Sequence, residues 1–447
     1  MTDPQSTESL SQSAPASTQV DEPLAVPAEL WIDELHAEPL YDLVERTNAL
    51  RLRFNAEKTR HHLVFELLRA YAARGTILLA DGVIEMSPQG GGFLRWPRYS
   101  FRSLPQDVYV SAQQERQFFL RNGNRLTARI RPPRDREKFL ALEEIRSIEG
   151  IPAAEWKETK PFDNLTPLFP NQRIVLENPK GYSFSGRAAD LIAPLGRGQR
   201  GLIVAAPRTG KTILLKDIAQ SIITNSPETS VILLLVDERP EEVTDFKRSL
   251  KNCEIYSSTF DENPQRHVQV AELVSDRAKR LVELNRHVVI LLDSITRLAR
   301  GYNNLQPNKG RIMSGGVDSK ALLKPKKFFG AARNTEEGGS LTILATALIE
   351  TNSRMDDVIF EEFKGSGNME LRLDRALSDK RIFPAINILQ SATRRDDLLY
   401  HPQEFEKINI LRKQLAVLPP AEATEVLIHA LRATKTNAEL LLTGLRG

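Results

Sequence analysis

The 447-residue sequence has little of several features that define whole classes of protein. Its one cysteine, Cys253, cannot form a disulfide within the chain, which favours a reducing compartment. Its apolar runs are shorter than the ~18 residues that a membrane-spanning helix needs, so no membrane partner is expected. The N-terminus has neither a basic nor an apolar segment. We therefore expect no secretory signal peptide and a cytoplasmic location.

Positive charge is missing from one end of the chain and concentrated further along. The first 45 residues hold ten acidic residues and no lysine or arginine. Residues 1–28 are also poor in apolar side chains, so they bury too little surface to offset the entropy of ordering, and we predict a disordered acidic tail. Residues 93–134 hold nine arginines against two acids. Such a concentration of positive charge indicates binding to a nucleic acid or another polyanion.

The pattern of apolar residues divides the rest of the chain into four segments. Residues 29–75 are predicted to be helical, because five apolar residues between positions 63 and 71 share one stripe and a glycine follows. Residues 76–151 have short alternating runs, typical of a small β-barrel. Residues 152–173 are predicted to be an extended linker. Residues 174–447 contain nearly continuous apolar runs between helical segments, which predicts an α/β domain with a parallel sheet.

A phosphate-binding loop is predicted at AAPRTGKT, from Ala205 to Thr212, between the apolar strand GLIVAA and a helix. In this motif Lys211 reaches the β- and γ-phosphates, and the hydroxyl of Thr212 binds Mg²⁺. Asp293 ends another apolar strand, HVVILLD, and ligands bind at the carboxyl ends of such strands. Asp293 would therefore hold the same Mg²⁺ through water. The sequence predicts ATP and Mg²⁺ as ligands.

A further carboxylate near the phosphates is expected from VILLLVDERPEE. Glu238 is a candidate for the base that orients the attacking water. Asp237, Glu241 and Glu242 lie in the same segment, and the residues alone do not separate them from Glu238.

Seven motifs resemble those of the bacterial transcription termination factor Rho family: GRGQRGLIVAAPRTGKT, LVDERPEEVTD, STFDENPQRHVQVAE, ILLDSITRLARGYN, KFFGAARNTEEGGSLTI, EEFKGSGNMEL and KRIFPAIN. The resemblance runs from about residue 30 to the C-terminus. It implies a RecA-like P-loop ATPase domain, preceded by a small helical segment and an OB-like, cold-shock-like RNA-binding barrel. It also implies a homohexameric, RNA-dependent ATPase and RNA/RNA–DNA helicase that moves 5′ to 3′ and dissociates nascent RNA from RNA polymerase in the elongation complex.

The resemblance assigns roles around the nucleotide. Glu238 becomes the water-orienting base, Phe383 packs on adenine, and Arg239 contacts phosphate. Arg394 matches an arginine finger given to the neighbouring subunit's ATP, and Arg381 matches a second inter-subunit arginine. The other residues implied to line the nucleotide site, beside Lys211 and Thr212, are Gly196, Arg197, Gly198, Gln199, Arg200, Gly201, Arg208, Thr209, Gly210 and Ile213.

The resemblance also implies a primary site for single-stranded, preferably cytosine-rich RNA. Phe93 and Tyr109 would stack on bases while basic residues follow the backbone. The chain departs from the family pattern at Gly91, where an aromatic is usual and for which Trp96 is a candidate replacement, and at Phe139, where tyrosine is common. The full set is Gly90, Gly91, Gly92, Phe93, Leu94, Arg95, Asp107, Val108, Tyr109, Glu137, Lys138 and Phe139.

Two loops, residues 303–316 and 351–357, are implied to face the central hole of a ring. They would form a secondary RNA site that contains Arg311 and Arg354, with Lys364 as a further member. Arginine stands at both loop positions where the family often has lysine.

Two other classes of protein fit parts of the sequence. A rotary or secretion-type ATPase shares the same core but should not respond to RNA. A static RNA-binding protein would keep its ATP site for structure alone, and the set Lys211, Thr212, Glu238, Asp293 and Arg394 argues against it.

Overall fold

The computed structural model describes residues 26–52, 59–178, 184–307 and 314–445. Most of the predicted acidic tail, residues 1–25, therefore lies outside the described residues. The chain forms two compact units, Met1–Leu78 and Leu79–Gly447. Among the described helices, none combines the length and the apolar character that crossing a bilayer requires.

The first unit is mainly helical, as predicted. It contains a short strand and three helices: β1 Glu29–Trp31, α1 Ile32–Ala37, α2 Leu40–Ala49 and α3 Arg60–Ala73. The predicted apolar stripe of α3 is confirmed, because all five of its residues are buried: Leu63, Val64, Leu67, Leu68 and Tyr71. Arg46 ties this unit together, since its guanidinium donates to Glu38 at 2.8 Å and to the hydroxyl of Tyr71 at 3.0 Å.

The second unit begins with a closed five-stranded barrel, which confirms the predicted OB-like fold. Its elements are β2 Ile77–Met86, β3 Gly92–Arg95, β4 Val108–Val110, α4 Ala112–Gln117, β5 Arg125–Arg131, β6 Leu140–Ile148 and β7 Ile151–Pro152. The strand order is β2-β3-β4-β6-β5, and β5 closes the barrel against β2. Along β5, Leu126, Ala128 and Ile130 are buried while the residues between them are not, which is the alternation that a barrel wall requires.

The rest of the second unit is an α/β domain. Its elements as far as residue 304 are β8 Pro167–Leu168, β9 Arg173–Ile174, α5 Phe184–Ile192, β10 Leu195–Gly196, β11 Arg200–Ala205, α6 Lys211–Asn225, β12 Ser230–Glu238, α7 Pro240–Ser249, β13 Glu254–Thr259, α8 Pro264–Val282, β14 His287–Asp293 and α9 Ile295–Asn304. The remaining elements are α10 Leu323–Gly330, β15 Arg333–Thr335, β16 Ser340–Leu348, α11 Arg354–Lys364, β17 Met369–Leu373, α12 Arg375–Asp379, β18 Ala392–Thr393, α13 Pro402–Ala416, α14 Pro420–Ala433 and α15 Asn437–Thr443.

Six parallel strands form the centre of this domain, in the order β13-β12-β14-β16-β11-β17. Their side chains enter two separate apolar cores, one on each face of the sheet. In β14, for example, Ile290 enters one core and Leu291 enters the other. Burial on both faces explains why the sequence of these strands is continuously apolar.

The predicted extended linker is packed against the α/β domain. Phe162 is buried, its backbone N–H donates to Glu283 at 2.7 Å, and β8 pairs with β15. These contacts fix the path of the chain between the barrel and the sheet.

Polar contacts also hold the barrel against α8. The buried carboxylate of Glu149 accepts from Arg277 at 2.6 and 2.7 Å, and Asn122 donates to Asp276 at 2.6 Å. Arg121 pairs with Glu283 at 2.8 Å. The barrel is therefore positioned by directional, charge-assisted contacts, which fix orientation better than apolar contacts do.

Glu149→Gln should lower the free energy of unfolding by about 3–5 kcal/mol, because it leaves the buried guanidinium of Arg277 without its counter-ion. Glu143→Gln is the matched control, since its exposed pair with Arg129 should contribute less than about 1 kcal/mol. Urea denaturation of the full chain measures both. Equal effects of the two substitutions would contradict the importance given to the buried pair.

Candidate nucleotide and RNA sites

The predicted phosphate-binding loop joins β11 to α6. Gly210 caps the N-terminus of α6 with a φ of 89°, a conformation that favours glycine. The hydroxyl of Thr209 donates to the carbonyl of Ala206 at 2.8 Å and closes the loop. The backbone N–H groups at the N-terminus of α6 can bind an anion, as a phosphate site requires.

Lys211 and Asp293 meet at the carboxyl edge of the sheet. Lys211 Nζ lies 2.5 Å from Asp293 Oδ1, which also accepts from the hydroxyl of Thr346 at 2.8 Å. Asp293 Oδ2 is buried and has no hydrogen-bond partner among the described residues. A buried carboxylate oxygen of this kind needs a cation or water. Together with the hydroxyl of Thr212, it fits the oxygen ligands that Mg²⁺ prefers.

Glu238 is the member of the DERPEE segment that faces this cluster. Its side chain is 2% exposed, whereas Glu241 is exposed on the first turn of α7. Burial, followed by the negative charge of Asp293, raises the pKa of Glu238 to about 7, although Lys211 and Arg297 oppose the shift. Of the four carboxylates that the sequence left open, Glu238 is therefore the one held beside the lysine and the aspartate.

Arg297 also belongs to this cluster, although the sequence analysis did not select it. Its guanidinium lies 3.1 Å from Glu238 Oε2 and donates to the carbonyl of Asp237. The first contact has the distance of an ion pair but not the geometry of a hydrogen bond, and Glu238 Oε2 has no hydrogen-bond partner in the described parts of the chain. The signal in the sequence was the position of Arg297, one turn into the helix that follows Asp293.

A cavity of about 500 Å³ lies beside the phosphate-binding loop. Phe383 is 43% exposed and lines it together with Thr209, Gly210 and Ile213. The ring of Phe383 lies within 3.7 Å of the place where a side chain on Gly210 would begin. The cavity combines an exposed aromatic face with a phosphate loop, which suits a nucleoside triphosphate.

Residues 196–201 do not reach this cavity. Gly201 and Arg200 begin β11, whereas the phosphate loop follows its last residue, Ala205. At ~3.3 Å per residue, the strand separates the two ends by about 17 Å. Gly198 and Arg200 instead line a second cavity of about 600 Å³ with Arg394. Within one chain, residues 196–201 and the phosphate loop therefore lie at opposite ends of β11, and the role of residues 196–201 in nucleotide binding stays a prediction.

Arg394 lies at the amino edge of the sheet, because Thr393 pairs with Met369 at the start of β17. Its exposed guanidinium has no hydrogen-bond or ion-pair partner among the described residues. Arg381 is placed differently. It is exposed two residues before Phe383, after the carboxyl end of β17, at the edge that holds the phosphate loop.

The barrel presents a cluster of three aromatic rings. Phe93 and Tyr109 are paired residues of β3 and β4, with ring centres 5.6 Å apart. The ring of Phe139 lies 4.9 Å from that of Phe93, and both Tyr109 and Phe139 are 41% exposed. Arg95 lies 5.2 Å over the Phe93 ring. Exposed rings beside a guanidinium form a surface that can stack on unpaired bases.

Asp107 orients Arg95. The two side chains form an ion pair, and Arg95 also pairs with Glu85 at 2.5 Å. Burial raises the pKa of Asp107 to about 6, although the charge of Arg95 opposes this. The ionised pair is therefore complete above about pH 6.

Two apolar side chains of the predicted primary site point away from solvent, and so does Trp96, the candidate replacement for the missing aromatic. Leu94, Val108 and Trp96 are fully buried in the barrel, so they cannot stack on RNA and Trp96 does not replace the missing aromatic. The loop at Gly91 explains that absence. Gly91 has a φ of 69°, a side chain there would begin 2.5 Å from the carbonyl of Val110, and its N–H donates to Glu115 at 2.6 Å. Gly90 precedes it in the same loop, Gly92 begins β3, and Glu137 and Lys138 are exposed next to Phe139.

Most of the arginines in residues 93–134 are neutralised by acids from outside that segment. Six of the nine form ion pairs: Arg95, Arg102, Arg121, Arg125, Arg129 and Arg131. Arg98, Arg116 and Arg134 have no ion-pair partner among the described residues. The concentration of charge therefore stabilises the barrel and its docking as well as providing a surface for a polyanion.

The secondary-site residues are not all together. Arg354 begins α11, whereas Lys364 ends it, about 15 Å away at 1.5 Å per residue. Lys364 instead lines a small cavity with Arg394. Arg311 lies outside the described residues.

The fold and the two sites define a P-loop nucleotide-binding protein with an attached OB-like barrel. A family model of the Rho termination factor RNA-binding domain matches residues 80–154, and one of the ATP synthase alpha/beta family nucleotide-binding domain matches residues 186–393. A transcription termination factor Rho from Akkermansia muciniphila is 52% identical and aligns with 96% of this chain and 90% of its own length. One from Pseudomonas aeruginosa is 52% identical over 91% and 98%. The chain belongs to the transcription termination factor Rho family.

Solved structures show the same fold in proteins of another kind. An ATPase from the type III secretion system of pathogenic bacteria matches 63% of this chain and 81% of its own, with a TM-score of 0.51 and 22% identity. The assembled EscN ATPase from enteropathogenic E. coli matches 70% and 72%, with a TM-score of 0.51 and 21% identity. These matches concern the fold alone.

Glu238→Gln should make the nucleotide-free protein at least as stable as the wild type at pH 8. The pKa of Glu238 is raised to about 7 in the folded state, so its contribution to stability is complete below its ordinary pKa and is lost as the pH rises through 7. Denaturant midpoints between pH 4.5 and 8 measure this, with Glu241→Gln as the exposed control. Parallel pH profiles for the wild type and both variants would show that Glu238 is not the group responsible.

Proposed function

We propose that this protein is an RNA-dependent ATPase that terminates transcription as a homohexameric helicase, moving 5′ to 3′ along nascent RNA and dissociating it from RNA polymerase. The observation that carries the proposal is an exposed aromatic cluster on a barrel that buried ion pairs hold against a P-loop domain. One part suits unpaired bases and the other suits ATP. Nascent RNA as the substrate also places the protein in the cytoplasm.

The proposal treats the nucleotide site as catalytic. Mg²⁺, when bound by Thr212 and Asp293, would neutralise charge on the phosphates. Lys211 contacts the β- and γ-phosphates. Glu238, as a carboxylate, accepts a hydrogen bond from the attacking water and orients it. Arg297 holds Glu238 from the other side, which keeps the carboxylate in one position without removing its charge.

The neighbouring subunit completes the site in this proposal. Arg394 lies at the amino edge of the sheet and cannot reach the phosphate loop of its own chain, which lies beyond the carboxyl end of β11. A ring in which the amino edge of one sheet faces the carboxyl edge of the next would bring Arg394 to another ATP. Gly198 and Arg200 would accompany it, since they share its cavity.

RNA would bind in two places. Phe93, Tyr109 and Phe139 stack on cytosine-rich single strands at the primary site. Arg354, with Arg311, contacts the strand in the central hole. Lys364 lies with Arg394 at the other end of α11, so it acts at the subunit interface in this proposal.

The alternatives make different predictions. The secretion-type fold is shared, but the aromatic cluster on the barrel gives this chain a surface for RNA that a rotary function does not use. A static RNA-binding protein would not need Glu238 and Asp293 buried together beside Lys211, because burying charges is costly. Measuring ATP hydrolysis with and without cytosine-rich RNA separates all three functions.

Phe93→Ala and Tyr109→Ala should each weaken binding of cytosine-rich RNA by about 1–3 kcal/mol, the usual contribution of one stacking face. Half-maximal stimulation of ATP hydrolysis should then require a higher RNA concentration. Phe119→Ala is the matched control, because Phe119 is an exposed barrel aromatic outside the cluster. Wild-type affinity in both cluster variants, measured by salt titration, would place the primary RNA site elsewhere.

Arg394→Ala should bind ATP and hydrolyse it about 10³–10⁵ times more slowly, the usual effect of losing an arginine supplied by a neighbour. Lys211→Ala should also be inactive while its barrel still binds RNA. When the two variants exchange subunits, some interfaces combine an intact loop with an intact arginine, so activity should partly return. Tagged protomers confirm the exchange. Exchange without recovery at any mixing ratio would show that Arg394 does not act between subunits.

A further inference from the structure

The chain segment that follows β3 lies against β13, the edge strand of the sheet. The hydroxyl of Ser100 accepts from the N–H of Ser257 on β13 at 2.9 Å. The ring centres of Phe101 and Tyr256 are 4.4 Å apart, and both side chains are buried. These contacts fix the segment that leaves the aromatic cluster against the α/β domain.

A cavity of about 470 Å³ lies beside this contact, between the chain that follows β3, the end of α7 and β13. Pro97, Leu250 and Ile255 give it an apolar wall. Arg98 and Lys247 also line it, and both are exposed. A cavity of this volume is large enough for a small ligand. Its lining therefore offers an apolar surface and two positive charges to the same ligand.

The two positive charges of the cavity have no counter-ion in the described parts of the chain. Neither Arg98 nor Lys247 forms an ion pair or a side-chain hydrogen bond with another described residue. Partial desolvation, followed by the positive charge of Arg98, lowers the pKa of Lys247, so the two groups are close enough to repel each other. Glu254 lines the cavity too, but its carboxylate accepts from the hydroxyl of Tyr256 at 2.6 Å. An anion between the two cations would relieve their repulsion.

We propose that this cavity binds a phosphate of single-stranded RNA between Arg98 and Lys247, with the adjoining sugar and base against the apolar wall. The proposal deepens the proposed function and rests on it. Arg98 is three residues after Arg95, so at most about 11 Å of chain separates them. One OB-type barrel binds about 4–16 nucleotides, which is more than the three rings of the cluster can stack. An RNA of that length extends beyond the cluster, and the cavity lies within its reach.

The first test is the salt dependence of RNA binding by the full-length protein. Arg98→Gln combined with Lys247→Gln should make the slope of log affinity against log salt less steep by about 0.7, the loss expected for one phosphate. The RNA for this measurement has about 16 nucleotides, the upper end of the footprint of one barrel. Affinity for a cytosine dinucleotide, which is long enough only for the cluster, should stay at the wild-type value.

The matched control is Arg248→Gln combined with Lys251→Gln. It removes two exposed positive charges from the same end of α7, but neither side chain lines the cavity. If the cavity holds a phosphate, this control should keep the wild-type slope. If the end of α7 attracts RNA only through its total charge, the two double variants should lose steepness equally.

The second test uses Cys253, the single cysteine of the chain, which lines the same cavity and reports its occupancy directly. Burial raises the pKa of its thiol to about 12, so a small neutral reagent such as methyl methanethiosulfonate reacts slowly enough to be followed. The longer RNA should slow this reaction in the wild type, and much less in the double variant of Arg98 and Lys247. The dinucleotide and inorganic phosphate should leave the rate unchanged.

The outcomes separate this site from the proposed function. Equal loss of steepness in the two double variants, or an unprotected Cys253 in the presence of bound RNA, would overturn the site and leave the proposed function intact. Protection by inorganic phosphate alone would assign the cavity to a free anion and overturn its role in RNA binding. Thermal unfolding shows whether each variant is folded, and Lys247→Gln alone serves if the double variant is not. A wild-type protein that binds neither RNA would overturn the proposed function as well.

Discussion

Two buried carboxylates set the conditions for the rest of the nucleotide site. Glu238 and Asp293 end neighbouring parallel strands, so the sheet itself brings them together at its carboxyl edge. Burial and the negative charge of Asp293 raise the pKa of Glu238, and the positive charges of Lys211 and Arg297 offset only part of this shift. Asp293 Oδ2 still has no hydrogen-bond partner among the described residues. The arrangement therefore suits a further cation, which in the proposed function would be Mg²⁺.

The amino edge of the same sheet has an excess of positive charge. Burial lowers the pKa of Arg200, and the positive charges of Arg333 and Arg394 lower it further. These three arginines line one cavity, and its lining contains no acidic residue. Converging positive charges of this kind are stabilised by a nearby anion. One edge of the sheet thus needs a cation and the other an anion. Stacking subunits edge to edge around a ring would satisfy both.

The sequence predicted the parts of this structure that depend on local pattern. Four sheet strands were evident as apolar runs, because both of their faces are buried. β13 and β17 were missed, since EIYSST and MELRL mix polar with apolar residues near the outside of the sheet. The phosphate loop and Asp293 were found because spacing reveals them. Arg297 was not found, because an arginine on a helix is usually exposed and only the fold brings it to Glu238.

The sequence also did not show which face of a strand is buried, or at which end of a strand a neighbouring segment lies. The motif GFLRW contains Phe93, which faces the aromatic cluster, and Leu94 and Trp96, which are buried in the barrel. A strand alternates its faces, but the sequence alone does not say which face is inside. The same uncertainty applied to residues 196–201, which lie close in sequence to the phosphate loop but at the other end of β11.

The loop at Gly91 limits how the primary site can recognise a base. Its left-handed backbone is held by the carboxylate of Glu115, and the carbonyl of Val110 occupies the position where a side chain would begin. An aromatic there requires a different loop conformation, so a single substitution at Gly91 does not recreate the usual stacking face. Of the remaining rings, Phe93 contacts both Tyr109 and Phe139 edge to face. In the proposed function, a base would therefore stack on their exposed faces, beside the guanidinium of Arg95, and would not enter between rings that are already in contact.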